Sequence, residues 1–211
     1  MLDRMEVLTP TTPSELVLSH YEAVLFDLDG TLVDSLPLHY RAYRRVFERR
    51  GTQLEWDVFM HNIGPPAASA IPKFAAAVGL DLTESQLTDI HLEKKSVFAD
   101  LLGIEAPSLL PVSTILSEVM ENQKSGLVTS GNRSGARLIL KSLGWIDKFD
   151  VVVTGDDVVQ GKPSPEPYLH AARILGVDPK ACLALEDTDA GLLSARQAGM
   201  KLCDVRKMNQ I

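Results

Sequence analysis

Residues 24–34 read Val-Leu-Phe-Asp-Leu-Asp-Gly-Thr-Leu-Val-Asp, an apolar run that ends in two carboxylates two positions apart. The apolar part has the length and composition of a buried strand, and Gly30 supplies a turn soon after it. Asp27 and Asp29 are therefore predicted at the carboxyl end of a strand, the edge of an open α/β sheet where ligands bind. Because side chains i and i+2 of a strand point the same way, both carboxylates can converge on one reacting atom.

Two carboxylates held this close repel each other unless a cation or a shared proton relieves them, so the pair predicts a Mg²⁺ site. A bare Asp-x-Asp before a glycine is also typical of an acidic turn, and for that short string alone the turn is the better interpretation. The complete string favours a functional site over an acidic turn, because Thr31 follows the glycine and Asp34 follows two further apolar residues.

The bulk properties exclude several classes of protein. The 211 residues can form one full domain core and a smaller second domain, and a formal charge of −7 without a basic cluster argues against nucleic acid as a partner. No apolar run approaches the roughly 20 residues that span a bilayer, and the first residues do not read as a secretory signal. We expect no membrane partner, a cytoplasmic location and a monomer or weak homo-oligomer. Cys182 and Cys203 are expected to be buried free thiols.

Strands and helices are predicted to alternate from about residue 110, which is typical of a parallel sheet with helices on both faces. Strands are predicted at 126–129, 151–153, 182–185 and 202–205, and helices at 112–121, 134–143, 165–175 (with Ser164 as N-cap and Pro165 as first residue) and 190–198. Before them come helices at 38–50, 67–78 and 84–102, the last opened by a capping box of Thr83 and Gln86. Residues 1–20 read as a loose leader without an assigned function.

The predicted fold class is α/β, a doubly wound, Rossmann-like parallel sheet with strand order 3-2-1-4-5. Residues 1–35 and 107–211 would form this core domain, and residues 36–106 a helical cap domain inserted after the first strand.

Polar residues follow the second and third predicted strands as well. Thr129, Ser130, Gly131 and Asn132 can offer a phosphate one hydroxyl and several backbone N–H groups, although the same run also reads as an ordinary strand-to-helix turn with a cap. Lys162 lies in a loop after Gly161 and before Pro163 and Pro165. A lysine in a loop is usually solvated, but prolines at this spacing also stiffen the backbone, as fixing one charge at a site requires.

The fourth predicted strand runs directly into Glu186 and Asp187. Acids at a helix start complement the helix dipole, which is a structural explanation for them. In the order 3-2-1-4-5 the first and fourth strands are neighbours, which places Asp187 beside Asp27. Oxygen ligands from two strands then suit Mg²⁺, which binds few protein ligands and keeps several waters.

In this order and at these strand ends, the four segments resemble the motifs of the haloacid dehalogenase-like superfamily, in its phosphotransferring branch, over about residues 22–206. The resemblance implies that Asp27 is the nucleophile and forms an aspartyl-phosphate, and that Asp29 is a general acid/base. It implies that Thr129, with Ser130 as the alternative, binds the phosphoryl group, and that Lys162 neutralises charge.

The same resemblance implies a Mg²⁺ site formed by Asp27, the carbonyl of Asp29 and Asp187, with Glu186 bound directly or through water. True dehalogenases lack the second acid, so the presence of Asp29 argues for phosphoryl chemistry.

The long helical segment after the first motif is similar to that of the β-phosphoglucomutase-like subgroup, which includes sugar-phosphate phosphatases. His39 matches a histidine near the cap hinge of the mutase, although a lone histidine on such a helix is more often structural. Mutase relatives carry Lys and Arg in a cap loop where this chain has Ile63 and Ala67. We expect hydrolysis of a small phosphorylated metabolite, a sugar or polyol phosphate, unless another cation such as Arg44 or Lys73 serves the cap.

Two alternatives stay open at this point. One is a phosphosugar mutase, which must retain a doubly phosphorylated sugar. The other is a non-catalytic binding protein with the same fold, against which the intact set of motif residues argues.

Overall fold

The computed structural model describes residues 7–62 and 67–210. The chain divides into two compact units. One comprises the chain up to Ser35 together with the part from Pro107 onwards, and the other is Leu36–Ala106. The assignment of these units as a catalytic core and a cap stays a prediction.

The strands are β1 (Val7–Leu8), β2 (Ala23–Phe26), β3 (Val33–Asp34), β4 (Ser108–Leu109), β5 (Lys124–Val128), β6 (Val151–Val153), β7 (Cys182–Glu186) and β8 (Lys201–Asp204). The helices are α1 (Leu36–Glu48), α2 (Trp56–Asn62), α3 (Ala67–Ala77), α4 (Glu84–Leu102), α5 (Leu116–Asn122), α6 (Arg133–Ser142), α7 (Glu166–Leu175), α8 (Asp189–Gln197) and α9 (Arg206–Asn209). β3 and β4 form a short antiparallel pair next to the unit boundary.

The main sheet has six strands in the order β1-β8-β7-β2-β5-β6, and every neighbouring pair is parallel. The five strands predicted from the sequence take the order 3-2-1-4-5, which confirms the predicted fold class. The sixth strand was missed, because β1 belongs to the segment that reads as a loose leader. Val7 and Leu8 pair with Leu202 and Cys203 of β8, so this part of the leader covers the sheet edge.

β2 lies at the centre of the sheet, and all four of its residues have no exposed surface. A strand buried on both faces reads as a continuous apolar run, which explains the Ala-Val-Leu-Phe sequence. Side chains of α7 and α8, among them Tyr168, Ala172 and Ala195, pack with one face of the sheet into a single apolar core. The parallel pairing of β2 with β5 and with β7 sets the carboxyl ends of these three strands side by side.

Some helix bounds differ from the predicted ones. α2 was missed, and α5 follows a 3₁₀ turn at Pro111–Ile115 instead of beginning at Val112. α7 begins at Glu166 with Pro165 in the N-cap position, so Ser164 is not the cap, although its Oγ accepts the Glu166 N–H at 3.3 Å. The capping box of Thr83 and Gln86 at α4 is confirmed.

Cys182 and Cys203 are free thiols and have no exposed surface, as predicted. Burial raises the pKa of Cys182 to about 11 and that of Cys203 to about 12, so both thiols stay protonated and unreactive at neutral pH.

The helical unit has an aromatic core of its own. α1 packs against α4, and Tyr43, Phe59 and Phe74 from three of its helices have ring centroids 5.0–6.3 Å apart. Across residues 7–62 and 67–210, no helix combines the length and apolar character needed to cross a bilayer.

Candidate active site

A buried ion pair joins the first of the four motif segments, which contains Asp27, to the third, which contains Lys162. Lys162 Nζ donates to Asp27 Oδ1 at 2.7 Å and to the carbonyl of Val128, the last residue of β5, at 2.8 Å. The Lys162 side chain is 4% exposed and that of Asp27 10% exposed. Burial alone would lower the pKa of Lys162, but the carboxylates of Asp27 and Glu186 outweigh this effect and raise it. Lys162 is therefore a permanent cation at the end of the central strands.

Glu186, the last residue of β7, has no exposed surface, and its carboxylate is surrounded by donors. Oε1 accepts from Lys162 and from the Tyr168 hydroxyl at 3.0 Å. Oε2 accepts the N–H groups of Asp187 and Thr188 at 3.2 Å and the Thr188 hydroxyl at 3.1 Å. A carboxylate has about four acceptor positions, so these donors saturate it.

Asp187 meets the turn that follows Asp29. The Thr31 hydroxyl donates to Asp187 Oδ1 at 3.0 Å, and Asp187 Oδ2 lies 2.2 Å from the point that a Cβ on Gly30 would occupy. Gly30 has φ +89°, a conformation that also favours glycine. The glycine of the first motif is thus required twice, for the turn and for the close approach of Asp187.

Asp29 is held on the other side of the same turn. The Ser35 hydroxyl donates a short hydrogen bond to Asp29 Oδ1. Asp29 Oδ2 and Thr129 Oγ1 lie 4.0 and 3.3 Å from the point that a Cβ on Gly131 would occupy, so the two side chains approach the same small space. The first and second motifs therefore meet at Gly131.

The run that follows β5 divides between a candidate site and a helix cap. Thr129 is buried, and its Oγ1 accepts the Gly131 N–H at 3.0 Å, which leaves the hydroxyl hydrogen available to a ligand. Asn132 Oδ1 accepts the Gly135 N–H at 2.9 Å and caps α6. Ser130 is exposed. Several polar groups of the predicted phosphate loop are thus already engaged within the loop and the helix start.

His39 lies in the helical unit. Its ring stacks on Phe98 at 4.2 Å, and its Nδ1 lies 2.7 Å from Lys94 Nζ. Burial, and then the positive charge of Lys94, hold the pKa of His39 well below its usual value, so the ring is neutral. Ile63 and residues 64–66 of the predicted cap loop lie outside the described residues, and so does the side chain of Ala67.

Four supporting residues could not be found from the sequence as functional candidates: Thr31, Ser35, Tyr168 and Lys94. Thr31 and Ser35 are small hydroxyl residues near the first motif, and their spacing alone does not say which carboxylate they contact. Tyr168 sits on the apolar face of α7, where an aromatic residue reads as core.

The carboxylates of Asp27, Glu186 and Asp187 form a cluster that fits a metal ion, since one oxygen of each lies within 4.8 Å of the others. Burial, followed by the repulsion of Glu186, raises the pKa of Asp187 to about 6. Burial also raises the pKa of Asp27, despite the opposing effect of Lys162. The three carboxylates thus have one ammonium group, that of Lys162, to balance their charge. Carboxylate oxygens with a remaining negative charge suit a hard cation that prefers oxygen ligands.

The fold and the site together define an enzyme whose acid-rich centre lies at the carboxyl edge of a parallel α/β sheet. A family model for haloacid dehalogenase-like hydrolases matches residues 21–199, and the chain belongs to this family. The resemblance stated from the motifs is thereby confirmed.

The chain is similar to phosphatases and to a mutase within this family. It is 36% identical over 181 residues to a phosphorylated carbohydrates phosphatase of Thermotoga maritima, which covers 85% of this chain and 82% of the relative. It is 30% identical to a β-phosphoglucomutase of Bacillus subtilis over 85% of this chain and 80% of the relative. The crystal structure of CbbY from Rhodobacter sphaeroides in complex with phosphate has a TM-score of 0.76 and 29% identity, with 87% of this chain and 84% of that chain covered.

Proposed function

We propose that this protein is a Mg²⁺-dependent phosphatase that hydrolyses a small phosphorylated carbohydrate through a phosphorylated Asp27. The observation that carries the proposal is the buried contact between Lys162 Nζ and Asp27 Oδ1 beside Asp187. This contact orients a carboxylate at the edge of the sheet and supplies a fixed positive charge for the oxygens of a transferred phosphoryl group.

In the first step, an oxygen of Asp27 attacks phosphorus, and the bond from phosphorus to the substrate alcohol breaks. Asp29 gives its proton to the departing alcohol oxygen, and the Ser35 hydrogen bond holds the Asp29 carboxyl group in place for this transfer. Thr129 donates its hydroxyl hydrogen to a phosphoryl oxygen, and Lys162 neutralises the charge on the group in transit.

In the second step, Asp29 accepts a proton from a water molecule, whose oxygen attacks the phosphorus of the aspartyl-phosphate. Inorganic phosphate leaves, and the Asp27 carboxylate is restored. The catalytic gain comes from positioning and charge neutralisation, because phosphoryl transfer requires little other chemistry from the protein.

Asp27, Asp187 and the backbone carbonyl of Asp29 would hold Mg²⁺. When bound, the ion neutralises the carboxylates and the phosphoryl oxygens. We assign Glu186 an indirect role, because its two oxygens already accept five hydrogen bonds from Lys162, Tyr168, Asp187 and Thr188. Glu186 then holds the lysine and the start of α8.

The substrate class rests on the relatives and on the helical unit, to which we assign the function of a cap that excludes water. A relative of 36% identity is named as a phosphatase of phosphorylated carbohydrates. In the cap loop, Ile63 and Ala67 provide no charge for a second phosphate, which favours hydrolysis over mutase chemistry.

The mutase is the second candidate, and a specific observation favours it. Lys94 supplies the helical unit with a half-buried cation next to His39, a role for which the sequence offered other candidates, for example Arg44 and Lys73. Arg44 instead pairs with Glu48 at 2.7 Å. A relative of 30% identity is named as a β-phosphoglucomutase.

Phosphate release from a panel of sugar and polyol phosphates, with and without Mg²⁺, tests the proposal. We expect Mg²⁺-dependent turnover that Asp27→Asn abolishes while the melting temperature shows a folded protein. Asp147→Asn, the same change at an exposed position, is the matched control and keeps its activity.

Two results would overturn the phosphatase. Absence of Mg²⁺-dependent phosphate release across the panel would indicate a binding protein. Conversion of β-glucose 1-phosphate to glucose 6-phosphate with a bisphosphate primer, without stoichiometric inorganic phosphate, would indicate the mutase.

A further inference from the structure

Asn209 is a buried polar residue near the end of the chain, beyond the part that the family model matches. It is 7% exposed, and it is the last residue of α9, whereas the matched segment ends at residue 199. The mechanism proposed above does not use it. A buried amide needs partners, and those of Asn209 lie in the first motif.

The Asn209 side chain bridges the first-motif turn to the segment that follows β4. Its Nδ2 donates to the carbonyls of Gly30 at 3.0 Å and Thr31 at 2.8 Å. Its Oδ1 accepts the N–H of Val112 at 3.3 Å. The two amide hydrogens meet two carbonyls and the oxygen meets an N–H, so only this orientation of the amide satisfies all three partners.

The carbonyls that Asn209 holds belong to the two residues that contact Asp187. Gly30 leaves space for Asp187 Oδ2, and the Thr31 hydroxyl donates to Asp187 Oδ1. A shift of the Gly30–Thr31 backbone would therefore move the hydroxyl that orients Asp187. The same shift would move the preceding carbonyl, that of Asp29, which we assign to the metal.

The base of α9 is tied to the same region through the backbone. Asn209 N donates to Val205 O at 2.8 Å, and Val205 N donates to the carbonyl of Glu186 at 2.9 Å. One short helix is thus attached to the end of β7 by its backbone and to the first-motif turn by its side chain. The helix therefore contacts both segments next to the carboxylate cluster, the turn after Asp29 and the end of β7.

We propose that Asn209 is a positioning residue for the metal site: its amide sets the distance between the turn after Asp29 and the Asp187 carboxylate. The inference rests on the Mg²⁺ site of the proposed function. In this inference α9, which lies outside the segment that the family model matches, holds the turn after Asp29 in its metal-binding conformation.

The test compares Mg²⁺ binding, measured by calorimetry on the full chain, with activity and melting temperature. Asn209→Asp keeps an oxygen for Val112 but removes both hydrogens from the Gly30 and Thr31 carbonyls, and Asn209→Ser is a milder variant if the first folds poorly. Met208→Ala is the control, because Met208 is 2% exposed in the same helix and contributes packing.

We expect both Asn209 variants to weaken Mg²⁺ binding by roughly tenfold or more, the range for residues that orient metal ligands. Their kcat at subsaturating Mg²⁺ falls in proportion, and hydrogen exchange of the peptide around residues 28–33 becomes faster. Met208→Ala lowers the melting temperature but leaves the Mg²⁺ dissociation constant within about twofold of the original.

Wild-type Mg²⁺ affinity in both Asn209 variants would overturn the inference, and so would an equal loss in Met208→Ala. The outcome is separable from that of the proposed function. A wild-type protein that binds Mg²⁺ but releases no phosphate from any substrate contradicts the phosphatase, while the binding comparison still decides the role of Asn209. A wild-type protein that binds no Mg²⁺ overturns the inference itself.

Discussion

The Thr31 hydroxyl donates to Asp187 Oδ1 at 3.0 Å, although 156 positions separate the two residues in the chain. The contact exists because β2 and β7 are parallel neighbours, with Phe26 opposite Leu185, so that the turns after both strands meet. At this point the backbone of Gly30 lies so close to the Asp187 carboxylate that a residue with a Cβ does not fit at position 30.

Gly30→Ala should therefore lower activity more than its effect on stability would explain. A Cβ at this position would lie 2.2 Å from Asp187 Oδ2, so the carboxylate has to move. The positive φ of +89° adds a backbone cost of about 1–2 kcal/mol. We expect phosphatase activity to fall by at least about tenfold to a hundredfold, measured at saturating Mg²⁺ on protein confirmed as folded by its melting curve.

Gly199→Ala is the matched control for this variant. Gly199 has φ +82° and nothing within 4 Å of the point that a Cβ would occupy, so it carries the backbone cost without the collision. Equal activity losses in the two variants would show that strain alone, and not the displaced Asp187, accounts for the effect.

Two glycines at equivalent helix positions should respond to alanine in opposite ways. Gly191 in α8 and Gly135 in α6 each donate their N–H to the side chain of the N-cap residue, at 3.0 and 2.9 Å. A Cβ on Gly191 would lie 1.9 Å from the Glu186 carboxylate, whereas one on Gly135 would have its nearest neighbour at 3.6 Å.

We expect Gly135→Ala to stabilise the protein by about 0.5–1 kcal/mol, the usual gain in a helix. Gly191→Ala should destabilise it by about 1–3 kcal/mol through overpacking and should lower kcat, because Glu186 holds Lys162. Urea unfolding and initial rates check both. A stabilised and fully active Gly191→Ala variant would mean that Glu186 can move without consequence.

Strand order and the motif positions could be predicted because they depend on local signals. Apolar runs that end in polar residues predicted β2, β5, β6, β7 and β8, and parallel pairing then brought Asp27 and Asp187 together. β1 could not be predicted in this way. Val7 and Leu8 are too short a run to be a strand by themselves, and they become one only because the edge of β8 offers backbone partners.

The supporting side chains were invisible for a similar reason. Asn209 follows Arg-Lys-Met near the end of the chain, without periodicity or a motif, and its partners Gly30 and Thr31 become neighbours only in the folded sheet. Asn132 shows the opposite case. Asparagine is a preferred N-cap residue, so the sequence already offered an ordinary turn with a cap as the alternative to a phosphate loop, and Asn132 does cap α6.

His39 should make the stability of the protein depend on pH. Burial, and then Lys94, hold its pKa well below the usual value of 6.5, so the native state keeps the ring neutral. As the pH falls below about 6.5, the unfolded chain takes up a proton that the native state refuses, and the free energy of unfolding decreases. Denaturant titrations from about pH 7.5 to 5 should show this loss, and His39→Gln should show a smaller loss across the same range.

The quantity to compare is how steeply the free energy of unfolding changes with pH in each protein. Its absolute value is not comparable, because His39→Gln also loses the ring stack on Phe98 and lowers stability at every pH. His61→Gln, at an exposed position of α2, controls for substitution of a histidine in the same unit. Parallel curves for the original protein and His39→Gln would contradict the assignment of a neutral His39.

Tyr168→Phe should separate the stability of the site from its chemistry. Burial, and then the charge of Glu186, hold the Tyr168 pKa well above 10, so the hydroxyl remains a donor to Glu186 Oε1 at 3.0 Å. Loss of a hydrogen bond to a charged group costs about 1.5–3 kcal/mol. Lys162 keeps its contacts with Asp27 and Val128, so kcat should fall by less than about tenfold.

Lys162→Met should have the opposite profile to Tyr168→Phe, with a large loss of kcat. It fills a similar volume but leaves the carboxylates of Asp27 and Glu186 without their shared cation, and kcat should fall by more than about a thousandfold. Tyr40→Phe removes a hydroxyl that donates to the neutral carbonyl of Leu54 at 3.1 Å, and it should cost only about 0.5–1.5 kcal/mol. If Tyr168→Phe reduces kcat as strongly as Lys162→Met does, the hydroxyl acts in the reaction itself and not through the position of Glu186.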